Sequence, residues 1–161
     1  AADAAWLHQY PGGPMPIPGG TIGDADGDSL PDDWESAHGL DRFDSAGDQG
    51  TSGDPDHDGI PNVAEYVLAG HPRVPSPLIL PAVATGPGGC TFTFKRCAAS
   101  AQTIDQVFQY GADLVRWTDI PLVPGANVAL GEIDGEGNQT VTVTLPAAGP
   151  RLFGRLRFTL R

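Results

Sequence analysis

Two acidic stretches, 30 residues apart, constrain this chain more than any other feature of its sequence. Residues 24–35 read DADGDSLPDDWE, and residues 54–65 read DPDHDGIPNVAE. Each stretch has Asp at positions 1, 3 and 5, an aliphatic residue at position 7 and Glu at position 12. Because carboxylates held this close repel one another, the pattern indicates either two bound cations or two fully solvated turns.

The spacing of the acidic residues favours calcium over other metals. Ca²⁺ takes about six to eight oxygen ligands, and alternate positions of a tight loop turn three carboxylates inward. Position 7 supplies its backbone carbonyl, position 9 acts through water, and Glu at position 12 contributes both oxygens from the first turn of a helix. Magnesium uses fewer protein ligands and zinc uses His or Cys, whereas the nearby His57 lies at the variable position 4. We therefore predict two Ca²⁺ sites. Their predicted ligands are Asp24, Asp26, Asp28, the Leu30 carbonyl, Asp32 and Glu35 in the first stretch, and Asp54, Asp56, Asp58, the Ile60 carbonyl, Asn62 and Glu65 in the second.

The two stretches differ at position 6, where such a loop needs a sharp turn. Gly59 supplies the turn in the second stretch, whereas Ser29 stands in the same place in the first. Because a side chain strains a left-handed backbone, the first site is expected to be weaker or distorted. Between the stretches, Asp41, Asp44 and Asp48 either complete one of the calcium shells or act as plain turn residues, and the second interpretation is favoured.

The acidic residues are concentrated in one part of the chain. Residues 24–65 contain 13 of the 20 acidic side chains and a single basic residue, Arg42. The net charge of this segment is therefore −12, whereas the net charge of the whole chain is −11. A cluster this focused favours a bound cation. The overall charge argues against nucleic acid or anionic lipid as a partner, and no apolar run is long enough to predict a membrane span.

The composition divides the chain into three parts. Residues 1–22 contain four Pro and four Gly and predict an extended N-terminal arm. Residues 23–73 predict a small calcium-loop/helix subdomain, in which each loop leads into a short helix, PDDWESAHG or PNVAEYVLAG, that begins near a Pro and ends at a Gly. Residues 77–161 predict a β-domain.

Several segments of the last part alternate apolar and polar residues. The segments TFTFKR, QTVTVTL and RLFGRLRFTL alternate clearly, IDQVFQY and NVALGEI do so more weakly, and TGPGG, VPGAN and DGEGN supply turns. Short strands separated by turns predict an antiparallel, immunoglobulin-like β-sandwich. The predicted fold class is therefore mainly β, with an added loop–helix pair. Cys90 and Cys97 stand roughly 23 Å apart if they share one extended strand, which is too far for a disulfide.

The two acidic stretches resemble EF-hand-like sites, and more closely the dockerin and thrombospondin type 3 calcium repeats, in which one helix follows each loop. The resemblance covers residues 24–40 and 54–70 and implies two Ca²⁺ ions. The order of motifs, with DLVRWTDI and a final RLRFTL in the β-domain, is also similar to C-terminal regions of large secreted bacterial proteins. This second resemblance implies a secreted or cell-surface location and no particular activity.

No catalytic constellation is apparent, because the four His residues are scattered and no nucleophile motif occurs. We do not expect an enzyme, and a secreted hydrolase is the least favoured alternative. The first hypothesis is a calcium-stabilised structural subunit of an extracellular filament or surface polymer, in which residues 1–20 dock on a neighbouring copy. The alternative is a calcium-braced accessory module, carbohydrate-binding or adhesive, of a larger secreted protein, with a glycan as partner. A basic stripe formed by Arg151, Arg155, Arg157 and Arg161 is either a solvated face or a patch that meets the acidic loops of a neighbour.

Overall fold

The structure is a computed structural model that describes residues 23–86, 89–145 and 151–161. The predicted arm, residues 1–22, lies outside the described residues. Two short α-helices, α1 (Asp32–His38) and α2 (Asn62–Leu68), precede all of the strands. The strands are β1 (Ala82–Gly86), β2 (Gly89–Cys97), β3 (Ile104–Gly111), β4 (Thr118–Pro121), β5 (Val128–Leu130), β6 (Asn138–Leu145) and β7 (Phe153–Leu160), with 3₁₀ turns at Pro77–Ile79 and Ala98–Gln102.

The strands form two antiparallel sheets. One sheet has four strands in the order β1-β2-β6-β5, and the other has three in the order β4-β3-β7. Every strand pair is antiparallel. The prediction of a mainly β, antiparallel chain with two short helices is therefore confirmed. No helix in the described part of the chain is long and apolar enough to cross a bilayer.

The segments that alternate apolar and polar residues form strands, as their pattern predicted. In β2, Phe92 and Phe94 are buried while Thr93 and Lys95 point to solvent. The next strand in the sheet, β6, buries its apolar residues in the same way. In β7 the alternation is also present, but its apolar face is only partly covered, and Leu160 remains 46% exposed. Among the described strands, β7 lies at the edge of its sheet and pairs with β3 only, so less of the fold covers it.

A single buried cluster joins the helices to both sheets. Phe92 of β2 packs against Phe108 of β3, with ring centroids 4.7 Å apart. Tyr66, Val67 and Leu68 of α2 belong to the same cluster, and α2 packs against β2. The segment that carries the acidic loops is therefore anchored on the core of the β-region.

The ends of the helices follow the predicted pattern with one difference. Pro31 and Pro61 directly precede α1 and α2, and Gly39 ends α1 in the left-handed conformation. The second helix ends one residue earlier than predicted, because Ala69 rather than Gly70 adopts the left-handed conformation, with φ +57°. Ala69 lies 30 residues after Gly39, so the repeat sets where the helix stops.

Two further expectations concern β2 and β7. Cys90 and Cys97 lie near opposite ends of β2 and are free thiols. In the basic stripe, Arg157 pairs with Asp119 of β4 and Arg161 pairs with Asp105 of β3. The arginines at these two positions are thus balanced by carboxylates of their own sheet.

Candidate metal centre

Each acidic loop folds its three aspartates into one cluster. The first loop, residues 24–35, brings together Asp24, Asp26 and Asp28, and the second loop, residues 54–65, brings together Asp54, Asp56 and Asp58. Within each cluster the carboxylate oxygens lie within 4.8 Å of one another. The sequence-predicted residues at positions 1, 3 and 5 are therefore close enough to share one cation.

Hydrogen bonds within the loop hold the aspartates in the same way in both copies. The position 1 carboxylate accepts a 3.0 Å bond from the backbone N–H of position 6 in each loop. The position 5 carboxylate accepts a 2.8 Å bond from the N–H of position 7. These bonds shape the loop, and both oxygens of Asp24 and of Asp58 accept backbone N–H groups. Four aspartate oxygens are buried and have no donor among the described residues: Asp26 Oδ2, Asp28 Oδ2, Asp54 Oδ1 and Asp56 Oδ2.

The glutamates at position 12 are the most unusual groups of the site. Glu35 and Glu65 are both 0% exposed. Within the part of the chain that the structure describes, neither oxygen of Glu35 has a hydrogen-bond donor, and neither does Oε2 of Glu65. The other oxygen of Glu65 accepts a 3.2 Å bond from the backbone N–H of His71. A buried carboxylate without partners is strongly unfavourable when charged, so this geometry requires either a proton or a cation.

Burial and the neighbouring aspartates raise the pKa of both glutamates. Burial raises the pKa of Glu35 from its ordinary 4.5 to about 8, and the charges of Asp28 and Asp26 add to the effect. Burial likewise raises the pKa of Glu65 to about 7, with the charges of Asp56 and Asp58 adding to it and the bond from His71 opposing it. Each loop therefore holds a proton near neutral pH unless a cation replaces it.

These shifts predict calcium binding that strengthens as the pH rises. Because Ca²⁺ needs ionised carboxylates, it displaces the protons held by Glu35 and Glu65. We expect the affinity to rise by up to about tenfold per pH unit for each proton displaced, to climb through pH 7 and 8, and to level off above pH 9. The calcium-free protein should show the opposite trend: its unfolded state binds fewer protons than its folded state above pH 4.5, so its stability falls as the pH rises towards 8.

Isothermal titration calorimetry from pH 6 to pH 9, in buffers of different ionisation enthalpy, measures both the affinity and the protons released. An affinity that does not change over this range, with no proton release, contradicts the assignment of Glu35 and Glu65 as ligands.

The backbone at positions 4 and 6 turns left-handed in both loops. In the first loop Gly27 has φ +78° and Ser29 has φ +77°. In the second loop His57 has φ +61° and Gly59 has φ +88°. Each loop therefore contains one glycine and one residue with a side chain in a conformation that costs roughly 1–2 kcal/mol outside glycine. The predicted strain at Ser29 is present, but His57 carries similar strain in the second loop.

The residues at position 9 connect each loop to its surroundings. Asp32 accepts a 2.8 Å bond from the N–H of Ala25, while the buried Asn62 donates to the carbonyls of Asp48 and Gly50 at 3.0 and 2.8 Å. Asn62 Oδ1 is buried without a donor. That Asp32 and Asn62 act on an ion through water stays a prediction. Their direct contacts show that they also fix the loops in place.

Contacts from outside the loops support both sites and were not visible in the sequence. Thr51 donates a 2.6 Å bond to the carbonyl of Asp28, and the N–H of Ser76 donates a 2.6 Å bond to Oδ2 of Asp58. Thr51 belongs to an extension of the repeat that the sequence analysis missed, because GTSGD at residues 50–54 matches GTIGD at residues 20–24. Ser76 lies outside the repeat, so no local signal marked it. Asp41 and Asp44 accept bonds from N–H groups two residues further along, which is the geometry of turn residues.

The donor set of each loop fits a hard divalent cation. Each loop offers three clustered aspartates, a backbone carbonyl at position 7 and a buried glutamate with at least one oxygen that lacks a donor among the described residues. Together these groups meet the requirement for oxygen ligands. The buried oxygens without donors are the observation that supports the fit. Asp24, Asp26, Asp28 and Glu35 could hold one ion, and Asp54, Asp56, Asp58 and Glu65 could hold another.

Comparisons of this chain with models of protein families, with curated proteins and with solved structures found no match. The interpretation of the site therefore depends on its own geometry.

Proposed function

We propose that this chain is a calcium-stabilised structural protein that binds two Ca²⁺ ions through its acidic loops. The observation that carries the proposal is the pair of fully buried carboxylates, Glu35 and Glu65, which keep oxygens without a donor among the described residues. Each of them feels the charges of the three clustered aspartates of its own loop. A cation in each loop supplies the missing partner of these oxygens and removes the repulsion among them. The loops then act as EF-hand-like sites of the dockerin or thrombospondin type 3 kind, with one helix after each loop.

The β-region fits the role of a scaffold. Its two antiparallel sheets share one core through Phe92 and Phe108, which supports an immunoglobulin-like sandwich as the finer description. The hydroxyls of Thr51, Ser76, Thr91 and Ser100 donate to backbone carbonyls and not to a base. The clustered carboxylates serve better as metal ligands than as an acid–base pair. We therefore propose a structural rather than an enzymatic role, in a secreted or cell-surface setting where millimolar calcium saturates even weak sites.

We further propose that the chain is a subunit of an extracellular polymer. Two surface features support self-association. One is the open edge of β7, a strand of eight residues that can accept an added strand from a neighbour. The other is a run of exposed apolar side chains around β1, including Leu78, Leu80 and Val83, which are 96%, 53% and 58% exposed. Exposed apolar groups of this kind mark interaction surfaces.

The alternative is an accessory module of a larger secreted protein that binds a glycan or another surface. Trp117 favours this alternative, because its half-exposed ring lies beside the three-stranded sheet, with the guanidinium of Arg155 over one face at 4.0 Å from the ring centroid. Sugar rings stack on such aromatic surfaces.

Deletion of residues 1–20 separates the two candidates. In millimolar calcium, sedimentation velocity and electron microscopy are expected to show polymers of the full chain and monomers of the shortened chain. A matched control keeps the length of the arm but replaces Trp6, Leu7 and Tyr10 by Ser. Monomers from the full chain as well as from both variants contradict the polymer and favour the accessory module.

A further inference from the structure

A buried arginine lies at the end of β2 without an anionic partner. Arg96 is 4% exposed and points inward with Phe92 and Phe94, since alternate residues of a strand share a face. Its Nη1 donates to the carbonyl of Leu122 at 3.0 Å and to Oε1 of Gln106 at 3.3 Å. Both acceptors are neutral. The ion pairs among the described residues do not include Arg96.

The hydrogen-bonding capacity of Arg96 is only partly used. Its Nε is buried and has no acceptor within the described ranges. Burial lowers the pKa of Arg96, yet a guanidinium stays charged at neutral pH. A buried charge without a counter-ion is costly, so the fold holds a cation in a place where an anion would stabilise it.

The direction of the Arg96 side chain is set by a chain of hydrogen bonds. Ser100 donates from Oγ to the carbonyl of Cys97 at 2.7 Å, and Gln106 donates from Nε2 to Ser100 Oγ at 2.7 Å. This bond fixes the amide of Gln106 so that its oxygen faces Arg96. Ser100 is 0% exposed and Gln106 is 8% exposed, so water does not loosen the chain. The guanidinium is thus preorganised, as binding sites require.

Arg96 lines a cleft beside the first half of β3, before β4 begins to pair with that strand. The cleft has a volume of about 430 Å³, within the range of sites for small molecules. Two more arginines, Arg157 and Arg161, line it together with Ile104 and Leu122. Three cations around one cleft are notable in a chain with a net charge of −11.

We propose that this cleft, named the arginine cleft, binds an organic carboxylate. The planar guanidinium fork of Arg96 matches a carboxylate, which can accept two parallel bonds. Ile104 and Leu122 form the apolar floor of the cleft. Arg157 and Arg161 add positive charge beside Arg96, although each also pairs with a carboxylate of its own sheet. Asp105, which accepts bonds from Arg161 Nε at 2.7 Å and Nη2 at 2.6 Å, competes with the ligand for that arginine. The site is separate from the calcium loops and goes beyond the proposed structural function.

The test uses the full chain, saturated with calcium, at low ionic strength. Glucuronate and N-acetylalanine present a carboxylate on a sugar and on a peptide, and glucose and N-acetylalanine amide are their neutral counterparts. Backbone amide shifts of Gln106, Val107 and Leu122 report binding by NMR. We expect dissociation constants on the order of 1 mM for a carboxylate and no saturable shift with the neutral compounds. Binding of the sugar acid alone, or of the peptide acid alone, identifies the source of the carboxylate and supports the site.

Four variants make the test specific. Arg96→Met keeps the volume of the side chain and is expected to weaken binding at least tenfold. Arg157→Gln is expected to weaken it about threefold, whereas Asp105→Asn is expected to strengthen it about threefold. Arg151→Gln is the matched control, because Arg151 is an exposed arginine just before β7 that does not line the cleft.

Two results overturn the proposal. One is the absence of saturable shifts with both carboxylates up to 50-fold above the expected dissociation constant. The other is equal binding of acids and neutral analogues. If Arg96→Met does not fold, the double variant Arg157→Gln/Arg161→Gln decides instead: unchanged affinity in that variant contradicts the site.

Discussion

Removal of calcium is expected to lower the melting temperature of the whole chain by about 15 °C. A ligand present at 100 times its dissociation constant stabilises the folded state by about 2.7 kcal/mol per site. Two sites therefore contribute roughly 5 kcal/mol, and each kcal/mol corresponds to about 3 °C in a chain of this size. Without the ions, the buried carboxylates of Glu35 and Glu65 must either take up protons or move into water.

The loss is expected to reach the sheets as well as the loops. Tyr66, Val67 and Leu68 of α2 are packed in the cluster that also contains Phe92 and Phe94 of β2. Disorder in residues 24–65 therefore exposes apolar surface of the β-region. Differential scanning calorimetry should show one transition that moves as a unit when a chelator is added. Hydrogen exchange should show the amides of α1 and α2 losing protection first, followed by those of β2.

A control with magnesium tests whether the effect is specific for calcium. Mg²⁺ demands a stricter octahedral shell and keeps more of its water, so it should restore little of the lost stability at equal concentration. A melting temperature that does not change on chelation contradicts the calcium model. If the helices lose protection while the melting temperature of the β-sheets does not change, the calcium model stands. That result contradicts only the coupling between loops and sheets through α2.

The parts of the fold that the sequence predicted are those with a local and repeated signal. The repeat of 30 residues is visible in the position of each Asp, and it reappears in the structure as equivalent hydrogen bonds, such as those from Asp32 N to Gly23 O and from Asn62 N to Gly53 O, both 2.8 Å. Strands β2 and β6 were predictable because one face of each strand is buried and the other is more exposed to solvent.

The parts that could not be predicted lack such a signal. All five residues of β1 are exposed, so the strand has no alternation to detect and exists because β2 offers a partner. The order of strands in each sheet depends on contacts that are distant in sequence, such as the pairing of β3 with β7. Arg96 is a charged residue at an inward position of the alternating strand β2. Only its hydrogen bonds to Gln106 and Leu122 explain why it is buried there.

The same limit applies to the metal centre. The residue types at positions 1, 3, 5 and 12 predicted a set of oxygen ligands, and the structure brings the aspartates of each set together. The complete burial of Glu35 and Glu65 was not visible, because it depends on how the two helices pack in the fold and not on the residue types of the loops. That burial is what gives the glutamates the unusual pKa values on which the response to pH depends.

The substitution Glu35→Gln is expected to change stability in opposite directions with and without calcium. In the calcium-free protein at pH 8, the neutral amide removes a buried charge next to Asp26 and Asp28, so the melting temperature should rise by several degrees. With calcium, the amide supplies one oxygen and no charge where the carboxylate supplied two oxygens. The first site should then lose affinity on the order of 100-fold, or about 2.7 kcal/mol, and the melting temperature in calcium should fall.

Two matched variants show whether the effect belongs to the site. Asp33→Asn makes the same change in formal charge within α1, but Asp33 is exposed, so it should leave both melting temperatures nearly unchanged. Glu65→Gln should repeat the reversal at the second site with a smaller gain in the calcium-free protein, because Glu65 accepts a bond from His71 and its pKa is raised less. Thermal melts at pH 8, with calcium and with chelator, measure all three variants. Since a purely structural role for Glu35 predicts a loss of stability under both conditions, a fall in the melting temperature without calcium contradicts its assignment as a calcium ligand.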